Sequence, residues 1–228
     1  MDVHSLHAYF LRPGDPSVPV LYEVDRIRDG RSFTTRRVVA IQHGRPIFNL
    51  AASFHIVEPG LEFLEPMPDV PAADSLPTRS ERFAEVGIDD PFEGQAHPLD
   101  FRYVTNSPLR RTEPLPPVQQ VWFRADGSLP DDQVLHTCLL TYASDMTLLD
   151  TSLLPHGTGA IDGSIQMASL DHAMWFHGTF RADEWLLYDQ RTPASTGARG
   201  LATGKVFTHD GRLIASVVQE GLIRQVPK

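Results

Sequence analysis

Residues 128–149 read Ser-Leu-Pro-Asp-Asp-Gln-Val-Leu-His-Thr-Cys-Leu-Leu-Thr-Tyr-Ala-Ser-Asp-Met-Thr-Leu-Leu, and this stretch decides the fold. Its spacing predicts one buried helix with the rest of the chain arranged around it. Pro130 suits a first helical position, where its missing N–H is no loss. Asp131 and Asp132 then set negative charge against the positive end of the helix dipole. Val134, Cys138, Thr141, Asp145 and Leu149 recur every three or four residues, so they share the face predicted to be covered. Leu135, Leu139, Tyr142 and Met146 fill the adjoining stripe. Asp145 is the one carboxylate on that side, and covering a carboxylate is costly unless it is paired or hydrogen-bonded. Taken alone, such a residue is more often a structural acceptor than a catalyst.

Outward from the helix, residues 5–11, 18–28, 32–42 and 46–57 alternate apolar and polar side chains. They read as a helix-free antiparallel meander with turns at Asp29-Gly30 and His43-Gly44-Arg45. From Glu58 to Pro117 the character changes, for eleven of the 19 prolines fall there and preclude long regular structure. Within that stretch, residues 59–77 read as an extended connector, 78–86 as a short amphipathic helix and 101–104 as a strand. Such linkers are usually semi-rigid spacers. Residues 118–124 form a strand that enters the central helix through Asp126-Gly127. Four more strands follow, at 164–177, 184–190, 199–208 and 213–223, the last two joined by His209-Asp210-Gly211-Arg212.

The two strand blocks repeat one another. Ser5-Leu6-His7-Ala8-Tyr9-Phe10 is similar to the segment Ser169 to Phe176, and His43-Gly44-Arg45-Pro46-Ile47 to the segment His209 to Ile214. Tyr22 to Gly44 spans 22 residues and Tyr188 to Gly211 spans 23. The unit is therefore a strand, a helix and four antiparallel strands, complete only in its second copy. Three segments follow: 1–58, a first copy of strands only; 59–98, the proline-rich linker; and 99–228, the complete second copy. With only Met1 to His4 ahead of Ser5, the first copy is expected to leave an apolar sheet face uncovered, and so to be unstable or partner-seeking.

One long helix wrapped by antiparallel sheet, twice in tandem, resembles the double hotdog fold, an α+β class. The strings His7-Ala8-Tyr9-Phe10-Leu11-Arg12-Pro13-Gly14-Asp15, Tyr142-Ala143-Ser144-Asp145, Leu170-Asp171-His172-Ala173-Met174-Trp175-Phe176-His177 and Val218-Gln219-Glu220-Gly221 resemble those of the acyl-CoA thioesterase II family across essentially the whole chain. In that family a helix Asp, a Ser or Thr, and a Gln activate a water against the thioester carbonyl. The resemblance places these on Asp145, Ser169 and Gln219. The middle position is often Thr; Ser keeps the hydroxyl but loses the methyl that restricts its rotamers, which bears on rate more than on chemistry.

The residues themselves are compatible with this. A thioester carbonyl needs only a base or orienter for water and donors for the developing oxyanion. Asp145 accepts protons, while Ser169 and the Gln219 amide both donate and accept. Alternation places Met167, Ser169 and Asp171 on one strand face, and Val217, Gln219 and Gly221 on one face of another. Without the family match, Ser169 is a satisfied strand hydroxyl and Gln219 a surface amide. Asp171 and His172 point to opposite faces and read as structural, with His172 and His177 candidates for the neighbourhood of the site. Arg36-Arg37 and Arg110-Arg111 are candidates for coenzyme A phosphates, although surface charge is the commoner role. Trp175, Phe176 and Trp185 read as core more than as an acyl-binding lining.

Composition excludes other classes. A formal charge of −9 argues against nucleic acid or an anionic membrane as partner. No run approaches the roughly 18 apolar residues of a membrane span, and no signal-peptide pattern opens the chain. Cys138 is the only cysteine, which fits a reducing, cytoplasmic compartment, and its place on the helix reads as a small core residue. The ten histidines lack metal-ligand spacing, so no metal or cofactor is expected. Ser144 is not in a Gly-x-Ser-x-Gly elbow, against an α/β-hydrolase. A hotdog enoyl-CoA hydratase is disfavoured, because the segment before the helix offers Asp126, Asp131 and Asp132 but no His before His136. The expectation is an acyl-CoA thioesterase acting as a homo-oligomer, dimer or higher. The alternative is a catalytically impaired hotdog protein that binds acyl-CoA or serves as an assembly subunit.

Overall fold

In a computed structural model the described residues are 1–85, 87, 97–104, 113–159 and 163–226; Arg110-Arg111 lies outside them. The first part carries β1 (Asp2–Phe10), β2 (Leu21–Asp29), β3 (Phe33–Gln42), β4 (Arg45–His55) and a short helix, α1 (Arg79–Glu85). Then come β5 (Leu99–Tyr103), β6 (Val118–Ala125), the main helix α2 (Gln133–Asp145) and a 3-10 segment, Leu149–His156. The chain ends with β7 (Ile165–Ser169), β8 (Asp171–Phe176), β9 (Leu186–Thr196), β10 (Arg199–Thr208) and β11 (Leu213–Gln225).

All strand pairs are antiparallel, in one sheet ordered β2-β3-β4-β1-β8-β11-β10-β9-β6-β5, with β7 also on β11. The order runs identically outward from the β1–β8 seam: β1-β4-β3-β2 on one side, β8-β11-β10-β9 on the other. The sequence repeat is thus a symmetry of the sheet, and the architecture is the double hotdog. His43 and Gly44 both have positive φ, 49° and 68°, as the tight hairpin between β3 and β4 requires. β6 and β5 extend the second half beyond β9, whereas β2 is an edge among the described residues, all nine of its positions exposed. No described helix is long and apolar enough to cross a membrane.

α2 differs from the sequence expectation at both ends and in its buried face. Asp132 is the N-cap, accepting from the Val134 and Leu135 amides at 2.9 and 3.4 Å, so the helix starts at Gln133 and Pro130 precedes it. It stops at Asp145, and the chain continues as the 3-10 segment. His136, Leu140, Ala143 and Ser144 are its buried residues, while Val134, Tyr142 and Met146 are exposed. Cys138 is exposed and is not a core residue. Apolar side chains run round both sides of this helix, so spacing alone does not distinguish the side against the sheet from the opposite one. Leu140 and Ala143 join Val121, Met174, Val206 and Val217 in the main core.

Two other features shape the second half. The strand expected at 164–177 is interrupted: Ser169 stands opposite Gly221 but Ala173 opposite Val218, a one-residue slip that makes Leu170 a β-bulge. On the outer sheet face, Met67, Val70, Ala73 and Leu76 pack on Trp122, Leu187, Phe207 and Leu213, and Trp122 Nε1 donates to Pro71 O at 2.9 Å.

Candidate active site

Asp145 is the last residue of α2, where the negative end of the helix dipole opposes a carboxylate. Two side chains from the sheet offset this. Ser169, the last residue of β7, donates from Oγ to Asp145 Oδ1 at 2.9 Å. Gln219, fully buried on β11, donates from Nε2 to the same oxygen and to Ser169 Oγ, the latter at 2.8 Å. The structure therefore brings Asp145, Ser169 and Gln219 into one mutually bonded cluster. Both bonds to the carboxylate fall on Oδ1, leaving Oδ2 without a partner among the described residues. The Asp145 side chain is 40% exposed, and it lines a cavity of about 1000 Å³.

That cavity lies between α2 and the sheet face of the first half. Val134, Cys138 and Thr141 line it from the helix, and Leu6, Leu50 and Phe54 from the sheet. The helix stripe that spacing marked as buried is thus the cavity wall. Phe176, expected in the core, is partly buried against the core and also lines the cavity. Trp185 sits with the linker contacts on the outer face, beneath the Arg124 guanidinium at 4.3 Å.

The helix end that carries Asp145 is held from several directions, by residues that periodicity did not single out. Tyr188 donates from its hydroxyl to Ser144 O at 3.1 Å. Burial raises the Tyr188 pKa well above the ordinary phenol, with Asp145 adding to the effect, so the hydroxyl remains a donor. The ring fits because residue 204 is glycine: a Cβ there would lie 2.2 Å from Tyr188 Cε2. Past the helix end, Gln119 donates to Gln190 Oε1 at 3.0 Å, Thr151 donates to the same oxygen at 3.0 Å, and Gln190 donates to Thr147. At the other end of α2, Asp183 accepts from the Leu129 amide at 2.9 Å while Arg181 donates to Leu129 O at 2.9 Å. The hydrogen bond from Arg181 holds the Asp183 carboxyl down at about 2.

His172 also reaches the cluster. It is buried, its Nε2 is 2.8 Å from Ser144 Oγ, and its Nδ1 is 4.0 Å from Asp145 Oδ1. Its neighbour Asp171 points away and accepts from the Glu220 amide at 2.6 Å. That amide belongs to the ladder that the bulge interrupts, so Asp171 is structural, as expected. The bulge also overturns the expectation that Ser169 and Asp171 share a face, because the slip puts Ser169 and His172 together instead. His177 lines the cavity and pairs with Ser216 Oγ at 2.9 Å. No group of three or more His, Cys, Asp or Glu suited to a metal occurs among the described residues.

The whole chain is similar to known proteins. Residues 95–222 match the family model described as acyl-CoA thioesterase, and residues 1–55 the acyl-CoA thioesterase N-terminal domain. Acyl-coenzyme A thioesterase 8 of Homo sapiens is 40% identical, the match covering 99% of this chain and 74% of that protein. Acyl-CoA thioesterase 2 of Haemophilus influenzae is 38% identical, covering 97% and 79%. The crystal structure of the acyl-CoA thioesterase II TesB2 from Mycobacterium marinum superposes with a TM-score of 0.83 at 48% identity, over 99% of this chain and 81% of that one. The chain belongs to the acyl-CoA thioesterase family.

Proposed function

We propose that this chain hydrolyses acyl-CoA thioesters to free fatty acid and coenzyme A with a water activated by Asp145. The observation that carries the assignment is a carboxylate at a cavity edge with one oxygen occupied by two protein donors and the other open. Asp145 Oδ2 takes a proton from water as the water oxygen bonds to the thioester carbonyl carbon. Collapse of the tetrahedral intermediate breaks the carbon–sulfur bond, and the proton passes from Asp145 to the departing thiolate. Ser169 and Gln219 keep the carboxylate oriented, both donating to Oδ1 so that Oδ2 faces the water. The acyl chain takes the apolar cavity, and the working half is 99–228. We infer a cytoplasmic location, a reducing compartment that a lone cysteine fits.

A thiol-release assay over an acyl-CoA series tests this. Each buried CH₂ is worth about 0.8 kcal/mol, so kcat/KM is expected to climb by up to about fourfold per methylene until the cavity fills. Asp145→Ala is expected to lose most hydrolysis of medium- and long-chain substrates while staying folded. Unchanged activity in that variant overturns the assignment.

An assembly role is supported by a separate observation. Leu21, Tyr22, Val24 and Ile27 expose apolar surface on the edge strand β2. We infer a homo-oligomer, dimer or higher, that covers this surface. Equilibrium sedimentation showing a stable monomer refutes it.

A further inference from the structure

Two buried polar atoms beside the catalytic cluster lack partners of hydrogen-bonding geometry: Gln219 Oε1 and His172 Nδ1. One is an acceptor, and the other is a donor in one imidazole tautomer. β8 and β11 bring them together. Met174 stands opposite Val217 and Ala173 opposite Val218, so the next step along the ladder sets His172 across from Gln219. Met174 and Val217 are both buried in the core, and side-chain alternation returns His172 and Gln219 to that same face. Cross-strand neighbours have Cβ atoms about 5 Å apart, within reach of an amide and an imidazole. Burial pushes the His172 imidazole below its ordinary pKa, opposed first by the Asp145 charge and then by its contact with Gln219 and by Asp171. The ring is therefore neutral in the working enzyme, and its tautomer matters.

We propose that His172 is a positioning residue whose Nδ1–H donates to Gln219 Oε1, locking the Gln219 amide with its NH₂ group on Asp145 and Ser169. This rests on the catalytic reading of Asp145, Ser169 and Gln219 given above. The tautomer is set by Gln219 Oε1, which can only accept. On the far side of the ring Ser144 Oγ lies 2.8 Å from both Nε2 and Thr141 O, and its single proton turns from the helix carbonyl to Nε2 when Nδ1 carries the ring proton. A directed chain results. Ser144 donates to His172, His172 to Gln219, Gln219 to Ser169 and Asp145, and Ser169 to Asp145.

The catalytic cycle itself creates the need for this anchor. An amide has nearly the same shape when its oxygen and nitrogen exchange places. While Asp145 is charged, the carboxylate holds the NH₂ group toward itself. Once Asp145 has taken the proton of water, that pull is gone, and a reversed amide would meet the regenerated carboxylate with an oxygen. A donor on the other side of the amide excludes the reversal at every stage. The structural alternative, a histidine that merely fills core volume, would leave Gln219 Oε1 buried and unsatisfied, which is costly.

The test is a double-mutant cycle read by kcat and KM, with melting temperature recorded for each variant. His172→Leu is expected to lower kcat about 10- to 100-fold, the loss of one hydrogen bond in the machinery, with KM within about twofold. His172→Asn, whose amide donates from nearly the Nδ1 position, is expected to recover most of that loss. In a Gln219→Ala background, adding His172→Leu is expected to change kcat by less than about twofold, since its effect runs through Gln219. Independent losses that multiply overturn the proposal, as does an Asn variant no better than Leu. A Gln219→Ala variant with full activity overturns the catalytic reading too, so the two failures are distinguishable. Nitrogen-15 chemical shifts of labelled wild-type histidine give a check that needs no variant. The Nδ1–H tautomer of His172 at pH about 8 supports the chain, and the Nε2–H tautomer refutes it.

Discussion

Asp145→Asn isolates the base from the architecture. Asn keeps a carbonyl oxygen where Oδ1 accepts from Ser169 and Gln219, and its NH₂ group replaces the open Oδ2. The two bonds lose their charge assistance, a change of about 1 kcal/mol each that solvent screening trims at a side chain 40% exposed. Removing a carboxylate from a helix C-terminus returns about 0.3–1 kcal/mol. The net cost is thus at most about 2 kcal/mol. In a chain of 228 residues, at about 2–4 °C per kcal/mol, that is a drop of no more than about 8 °C in melting temperature. Activity is expected to respond on another scale. A positioned general base contributes about 10²–10⁴-fold, or about 3–5.5 kcal/mol of barrier. Thiol release from a saturating long-chain acyl-CoA should fall by that factor while circular dichroism reports a folded protein. A variant within threefold of wild type refutes the role of Asp145 as base. Loss of activity together with a melting drop far beyond 8 °C refutes the separation of base from scaffold.

Ser169→Ala removes the 2.9 Å donor to Asp145 and is expected to lower kcat by about 10- to 100-fold, whereas Ser169→Thr restores the hydroxyl and should stay within a few-fold; steady-state kinetics on the pair checks both. Gly204→Ala would drive a Cβ to 2.2 Å from the buried Tyr188 ring, so overpacking of about 1–3 kcal/mol is expected, read as a lower denaturant midpoint. Acid stability should report Asp183. Its folded pKa is about 2 against an ordinary 3.8, so its contribution is full above about pH 4 and is lost as pH falls from there through about 2. Asp183→Asn should remove that part of the acid limb in unfolding titrations, and an unchanged limb would contradict it.

The elements of the fold were legible because each rests on local chemistry. His43-Gly44 announces a hairpin by its positive-φ residues, and Pro-rich 59–77 announces the absence of long regular structure, a single 3-10 turn at Ala73–Ser75 being all that forms there. The repeat supplied the topology, since equal spacing between turns implies equal strand order. What local chemistry could not supply was the environment of α2. Its apolar residues run on both sides, and the sequence does not say which side meets the sheet and which faces the cavity. Val134 and Cys138 therefore changed sides, and Asp145 came to lie at the cavity wall instead of under a covered face. The supporting polar residues were equally silent. Gln119, Gln190, Thr147 and Thr151 are scattered over three separate stretches and become a network only when the sheet and the helix end meet.

The bulge at Leu170 joins these threads, and in retrospect the sequence carries its trace. Ser169 meets the helix end from an odd position, whereas His172 and Met174 are buried against it at even ones. In an uninterrupted strand the helix-facing set would keep one parity, so Ser169 facing inward would force His172 outward. The inserted residue resets the phase. It costs one ladder bond at the Glu220 amide, which the Asp171 carboxylate takes at 2.6 Å. Asp171 thus belongs to the site without touching it, because it satisfies the amide exposed by the irregularity that lets Ser169 and His172 converge. β11 runs unbroken past both segments and carries Gln219 between them. One slipped residue therefore concentrates three polar side chains around the end of a single helix, where regular alternation from the same two strands would have delivered two.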